Sequence, residues 1–406
     1  PPSLAYRIVE SKAGGLADYA TEPPTPRLEA AQVVDALRWY ADLHLAADVM
    51  PYSGRNEEQE ELAMSEAESL IDKGQAAMWP DLALLYWYRQ IQGNVGVVPF
   101  PVDDPHSKTT PGWANALAMS AGTRQPDAAW RLMVFLSKHT LSGVGQGTRY
   151  MPARRSTAQA SGYWDSLDPE LAVALRYALD HAYIANEPVG YDAFTGAFHA
   201  VLSEERPVAE ALGDAQAEAE RAREATMLER RGVKAVPTFV VASPEREPGA
   251  EATTITFVPG LGSLNLEPYR RLADQFHQAN PHIVIELKTL DITGAGGGAP
   301  NLISMAKSAD CFQWYPSLRD PKSLDAVLSL DPFLEADESL GLEDFYPQLV
   351  RQFSKEALLR GLQADVTPFV IEYNRDLFDA AGVGYPSPDW TWEEFLESTV
   401  AFTQGE

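Results

Sequence analysis

With 58 Asp and Glu residues in the chain, a paired-carboxylate mechanism is the first chemistry to test. Two acids about 5–10 Å apart would hydrolyse a glycoside. The adjacent pairs Glu60-Glu61 and Glu393-Glu394 fall in helical stretches, where sequence neighbours diverge rather than converge. No Gly-x-Ser-x-Gly elbow, no His-Glu-x-x-His pair and no phosphate-binding loop occurs. Gly294-Ala295-Gly296-Gly297-Gly298 lacks a following Lys-Ser/Thr and reads as a flexible loop. Cys311 is the only cysteine, so it has no internal disulfide partner, and no Cys/His cluster has zinc spacing. In its strand-like run Cys311 reads as a small buried apolar residue. What remains is the chemistry of binding. With 9 Trp and 16 Tyr there are aromatic faces enough for the cores and for a ligand. Flat aromatic faces and planar Asp, Asn, Gln and Arg groups together suit a sugar. No catalytic residue, metal or cofactor is expected, and the chain reads as a binder rather than an enzyme.

Charge narrows the partners. Lys and Arg total 32 against 58 acids, a formal net charge of −26. Such a surface repels phosphate, so nucleic acid and anionic membrane are poor partners. No apolar run approaches the roughly 20 residues that span a bilayer. Pro1-Pro2-Ser3 has neither a basic nor an apolar leader region. The expectation is that a signal segment was removed, or that the gene begins elsewhere.

The elements that must position these groups alternate between helix and strand. Thr25-Pro26 is expected to cap and open a helix, with Val33, Leu37, Tyr40 and Leu43 on one face. A second helix is expected over 60–73. Further helices are expected from Pro126 to Lys138 and near 169–183, 191–203 and 207–230. Strands are expected at 75–79, 95–98, 116–119, 254–258, 283–287, 312–314 and 369–373. Residues 231–252, polar and broken by Pro237, Pro244 and Pro248, form a linker candidate. Within that stretch Gly232–Val240 is similar to the proline loop of thioredoxin-like oxidoreductases, but without a Cys-x-x-Cys it has no redox chemistry to serve. Thr391 with Glu394 three residues later predicts a capping box for the last helix. This alternation predicts an α/β protein with helices on both faces of its sheets. Ligand sites belong at the carboxyl ends of such strands.

Two blocks carry a family resemblance. The later block holds Thr254-Ile255-Thr256-Phe257, then Tyr269 to Phe276, then Pro281-His282-Ile283-Val284-Ile285. It continues with Ala309-Asp310-Cys311-Phe312-Gln313-Trp314, Tyr373-Asn374-Arg375-Asp376-Leu377-Phe378-Asp379-Ala380-Ala381-Gly382, and Trp390-Thr391-Trp392-Glu393-Glu394-Phe395. In that order these resemble the front of the extracellular solute-binding proteins that serve ABC importers, the group with maltose- and oligosaccharide-binding members. The back of such a protein resembles the start of this chain. It is carried by Gly74-Gln75-Ala76-Ala77-Met78, residues 95–101, Pro111 to Ser120, Ala128-Ala129-Trp130 with Phe135-Leu136, residues 147–154, and Pro207 to Gln216.

The resemblance implies a two-lobed, periplasmic-binding-protein-like (type II) α/β fold. Each lobe is a mixed sheet flanked by helices, and about three crossings form a hinge. It makes 1–230 the C-terminal half and 253–406 the N-terminal half, with 231–252 as linker. Lobe one is then 104–150 with 253–365, and lobe two the rest, including 366–406. Hinge candidates are 99–103, 151–152 and 365–368. The inverted order fits either a circular permutation or the junction of tandem copies. Pairing of the halves within one chain, as a monomer, or between chains, as a swapped dimer, both fit. The implied function is extracytoplasmic capture of a small ligand, a sugar or oligosaccharide, in the cleft between lobes and delivery to ABC permease membrane subunits. The implied location is the periplasm or a cell-surface lipoprotein. A ligand-sensing receptor of the same fold is the alternative, and a carbohydrate-active enzyme a more distant one.

By the same resemblance the ligand contacts are Trp314, Gln313 and Trp113 in lobe one, and Trp79 and Asp81 in lobe two. Asp365 stands at a crossing, and Gly262 and Ser263 in the first site loop. Tyr6, Tyr150 and Arg154 complete the set. The first loop, Pro259 to Ser263, carries no charge, unlike maltodextrin binders of the family. This puts maltodextrin itself in doubt.

Overall fold

In the computed structural model, the residues described are 2–18, 21, 23–47, 49, 57–82, 94–103, 110–139, 151–183, 190–230, 252–259, 266–289, 302–314, 321–355 and 358–403. They form a mixed α/β protein divided into two compact units. Unit 1 is Pro1–Gly112, Leu167–Arg231 and Pro368–Glu406, and unit 2 is Trp113–Ser166 and Gly232–Thr367. The linker candidate, apart from Ala252, and the glycine-rich stretch fall outside the described residues. In chain order the strands are β1 (Ala17–Asp18), β2 (Thr25–Pro26), β3 (Met78–Leu82), β4 (Val95–Pro99), β5 (Thr110–Met119), β6 (Met151–Pro152) and β7 (Ala182–Tyr183). They continue as β8 (Thr253–Val258), β9 (Ile283–Leu287), β10 (Cys311–Trp314), β11 (Ser354–Lys355), β12 (Leu358–Leu359) and β13 (Leu362–Asn374).

In unit 1 the second part of β13 runs antiparallel to both β3 and β4, with Ile371 opposite Pro80 on one side and Val98 on the other. Gly96 of β4 lies under Tyr373, where a Cβ would stand 2.2 Å from the ring. Ile371, Tyr373 and Val98 belong to a core closed by the helices Pro2–Lys12, Ala31–Leu45, Tyr191–Leu202 and Val208–Arg230. Tyr6, Phe100, Phe194, Phe198, Trp390 and Trp392 are among its large members.

Helix Ala31–Leu45 buries Val33, Leu37, Tyr40 and Leu43, the predicted face. Its start differs from the expectation. Thr25-Pro26 forms β2 against β1, and the Thr25 hydroxyl bonds that of Thr21 at 2.8 Å rather than capping a helix. The strand expected at 75–79 begins instead at Met78. Gly74 (φ +68°) and the bond from Gln75 N to Leu70 O are used to end helix Glu57–Asp72. The Thr391–Glu394 capping box forms. Thr391 N donates to Glu394 Oε2 at 2.7 Å, and Glu394 N to Thr391 Oγ1 at 3.2 Å.

In unit 2 the strand order is β9-β8-β10-β5-β13, with β6 on the far side of β13. β9, β8 and β10 are parallel, and β10 pairs antiparallel with β5, Cys311 opposite Met119 and Trp314 opposite Ala116. β10 is buried at every position, which is why its four residues read as a continuous apolar run broken only by Gln313. Cys311 is fully buried, and burial pushes its thiol up.

Candidate functional site

Pairing fixes which side chains of unit 2 share a face. Gln313 lies opposite Leu117, so Gln313, Leu117 and Asn115 project to one side of the sheet, while Trp314 and Ala116 project to the other. On the first side Asn115 Nδ2 donates to Asp365 Oδ1 at 2.7 Å, and Gln313 Nε2 donates to Asp365 Oδ2 at 3.4 Å. Tyr269, on helix Glu267–Ala279, donates its hydroxyl to Gln313 Oε1 at 3.2 Å. All four residues are buried, Asp365 to 1% exposure. Burial pushes the Asp365 carboxyl up to about 7, and the hydrogen bond from Asn115 opposes that rise. The result is a row of planar amides and one carboxylate, the kind of array that bonds hydroxyls in pairs. Among the described residues, the partners of the Asp365 carboxyl are these two amides.

On the other face Trp314 is buried, its ring edge-to-face with Phe353 at 5.4 Å. Gly361 lets the strand come close: a Cβ there would meet Ala116 Cβ at 2.9 Å and the Trp314 ring at 3.1 Å. Among the described residues, the Trp314 Nε1 proton is buried without a hydrogen-bond partner.

In unit 1 Trp79 and Asp81 lie opposite Glu372 and Val370. Trp79 Nε1 donates to Glu372 Oε2 at 2.8 Å, and Asp81 and Glu372 are both buried. The remaining expected residues are not gathered with these. Tyr6 stands in the unit 1 core, 1% exposed, edge-to-face with Phe194 at 5.2 Å. Arg154, in unit 2, donates from Nε to Asp344 Oδ2 at 2.7 Å and lies over the Phe345 ring. Burial raises the Asp344 carboxyl, but hydrogen bonds from Ser156 and Arg154 more than offset this and hold it below the usual range. Gly262, Ser263 and Tyr150 lie outside the described residues, as does the side chain of Trp113, whose backbone belongs to β5.

Asn115 and Tyr269, which join Asp365 and Gln313 in this buried row, were not singled out by sequence reasoning. For Asn115 a signal exists: a lone amide in the apolar run Ala114 to Met119. A concave surface of about 470 Å³ lies at the opposite end of β10, lined by Ser120, Thr123, Thr256, Lys288, Lys307 and Asp310. There Asp310 accepts from Thr123 Oγ1, Thr256 N and Thr256 Oγ1. Among the described residues no group of His, Cys, Asp and Glu is placed to hold a metal ion. No helix among them is long and apolar enough to cross a membrane.

Residues 263–404 match the family model described as bacterial extracellular solute-binding protein. This is the family that the motifs at 309–314, 373–382 and 390–395 resemble, and the matched segment contains Gln313, Trp314, Asp365 and Glu372. No curated protein and no solved structure matches the chain.

Proposed function

We propose that this chain works outside the cytoplasm as a binding protein. It captures a small solute, a sugar or oligosaccharide, and passes it to the membrane subunits of an ABC importer, without turning it over. The observation that carries the reading is the buried row Asn115–Asp365–Gln313 inside the family-matched framework. It supplies the paired donors and acceptors that sugar hydroxyls require. Trp314, on the other face of the sheet and packed against Phe353, stays a proposed contact on the resemblance alone. Trp79 and Asp81 are further proposed ligand contacts.

The proposal includes the inverted order of the halves. Support comes from the strand pairing. β13, from the matched segment, runs beside β3 and β4 of the first half, and β10 pairs with β5 of the first half. Each unit therefore draws strands from both halves, and the proposed working form is a monomer.

A thermal-shift screen over monosaccharides, disaccharides, oligosaccharides, polyols, peptides and polyamines tests the ligand class. At a hundredfold excess over Kd a true ligand adds about 2.7 kcal/mol of stability. A shift with peptides or polyamines alone would reject the sugar, and product released from a glycoside would reject the non-catalytic role.

A further inference from the structure

The concave surface of about 470 Å³ at the far end of β10 lies wholly within unit 2. Its size is that of a small-molecule site. Four stretches of chain build it. They are the turn after β5 with Ser120 and Thr123, Thr256 of β8, Lys288 just past β9, and the helix Leu302–Ser308 with Lys307. Asp310 ties two of these stretches together. Its Oδ1 accepts from Thr123 Oγ1 at 2.6 Å. Its Oδ2 accepts from Thr256 N at 2.8 Å and from Thr256 Oγ1 at 3.0 Å. Ser120 ties the turn to the helix, donating from Oγ to Ala306 O at 2.6 Å. The walls are thus held by their own side chains, which lowers the cost of ordering them round a ligand.

The charge of this hollow runs against that of the chain. Lys288 and Lys307 bring two ammonium groups to a lining whose acid is Asp310, in a chain of net charge −26. Asp310 directs its oxygens at hydroxyls and an N–H rather than at either ammonium. Glu286, two residues before Lys288 on the same face of β9, is exposed to solvent. Among the described residues no ion pair or hydrogen bond engages Lys288 or Lys307. Two ammonium groups on one hollow match the charge of a phosphate dianion, and Lys binds phosphate as a point charge. Gly122, Ala306 and Ala309 leave room beside the lysines for the rest of a ligand. Asn115 of the buried row and Ser120 are separated by roughly 16 Å of extended chain, so the hollow is a separate place from that row.

We propose that this hollow is a phosphate site of unit 2. Lys288 and Lys307 hold the dianion, and Asp310 is a positioning residue that keeps the walls in register. The ligand class is inorganic phosphate or a small phosphomonoester. The site does not rest on the solute-binding reading and stands or falls apart from it.

Inorganic phosphate, glycerol 3-phosphate and acetate are titrated calorimetrically into the full chain at low salt, where charge pairing is least screened. The expected result is one site per chain, with Kd below about 5 mM for at least one of the two phosphates and acetate at least about tenfold weaker. Phosphate bound as tightly as the ester assigns the site to the free ion, and a tighter ester assigns it to phosphorylated solutes. In Lys288→Met/Lys307→Met, affinity should fall at least about tenfold. Both lysines are exposed, so the variant should fold, and circular dichroism checks that it does. Lys73→Met/Lys138→Met removes the same charge from exposed positions elsewhere and should leave affinity within about twofold. No binding of either phosphate below about 5 mM, acetate bound as well as phosphate, or equal losses in the two double variants would overturn the site.

Discussion

Asn115 and Asp365, 250 positions apart in the chain, are joined inside unit 2 by one hydrogen bond of 2.7 Å. One residue comes from β5 in the first half of the chain and the other from β13 in the family-matched segment. The most solute-site-like chemistry of the molecule therefore depends on both halves folding together.

The buried Asp365 carboxyl has a consequence for stability. Its ordinary value of 3.8 is raised to about 7 by burial. The folded state thus holds this proton where the unfolded chain has lost it. The stability Asp365 contributes is full below about pH 4 and lost as pH rises to about 7. Asp365→Asn should remove that slope and be more stable than wild type at pH 8, by on the order of a few kcal/mol. Urea denaturation of both proteins at pH 4, 6 and 8 checks it, and parallel curves would refute it.

The Trp79–Glu372 bond sets a second expectation. Both groups are buried, so Trp79→Phe leaves the carboxylate one donor short. A loss of about 1–3 kcal/mol should follow, and a smaller one when Glu372 is already Leu. Chemical denaturation of the four proteins in this cycle measures the coupling.

Much of this framework was legible beforehand. Helix periodicity placed Val33, Leu37 and Tyr40 inward, and the strand expected at 312–314 forms, beginning one residue earlier at Cys311. Local chemistry with a second use misled. Thr25-Pro26 has helix-opening character, yet Thr21 takes its hydroxyl and β1 takes its backbone. At the site, Gln313 and Asp365 were named, but their meeting depends on strand order, which periodicity does not encode. Arg154 and Tyr6 are polar types that local sequence cannot sort between ligand, ion pair and core. Long-range packing sends Arg154 to Asp344 and Tyr6 to Phe194.

Gly361 is expected to tolerate no side chain. A methyl there meets Ala116, the Trp314 ring and Phe353 at 2.9–3.2 Å. Gly361→Ala should cost about 1–3 kcal/mol through overpacking, with a changed Trp emission spectrum as the ring shifts. An unchanged melting curve would show that the strands separate more easily than this contact implies.

The last helix provides a simpler check. Thr391→Ala removes the hydroxyl that accepts from Glu394 N, and about 1 kcal/mol of stability should go with it. The reciprocal bond from Thr391 N to Glu394 Oε2 is kept in that variant and lost in Glu394→Ala. A third bond, from the Thr391 hydroxyl to Glu394 Oε2 at 3.1 Å, is lost in either single variant, so the double variant should lose less than the sum of the two, measured by thermal denaturation.

On the function proposed above, this chain binds a sugar through a row of amides and a carboxylate drawn from both halves of its sequence. Isothermal titration of the strongest sugar from the screen into wild type and Gln313→Ala, with circular dichroism confirming that both are folded, tests it most directly. Expected are one site per chain in the wild type and at least about tenfold weaker binding in the variant, the loss of a ligand hydrogen bond and its neighbour's support. Undiminished affinity in folded Gln313→Ala, or no sugar binding by the wild type, would contradict it.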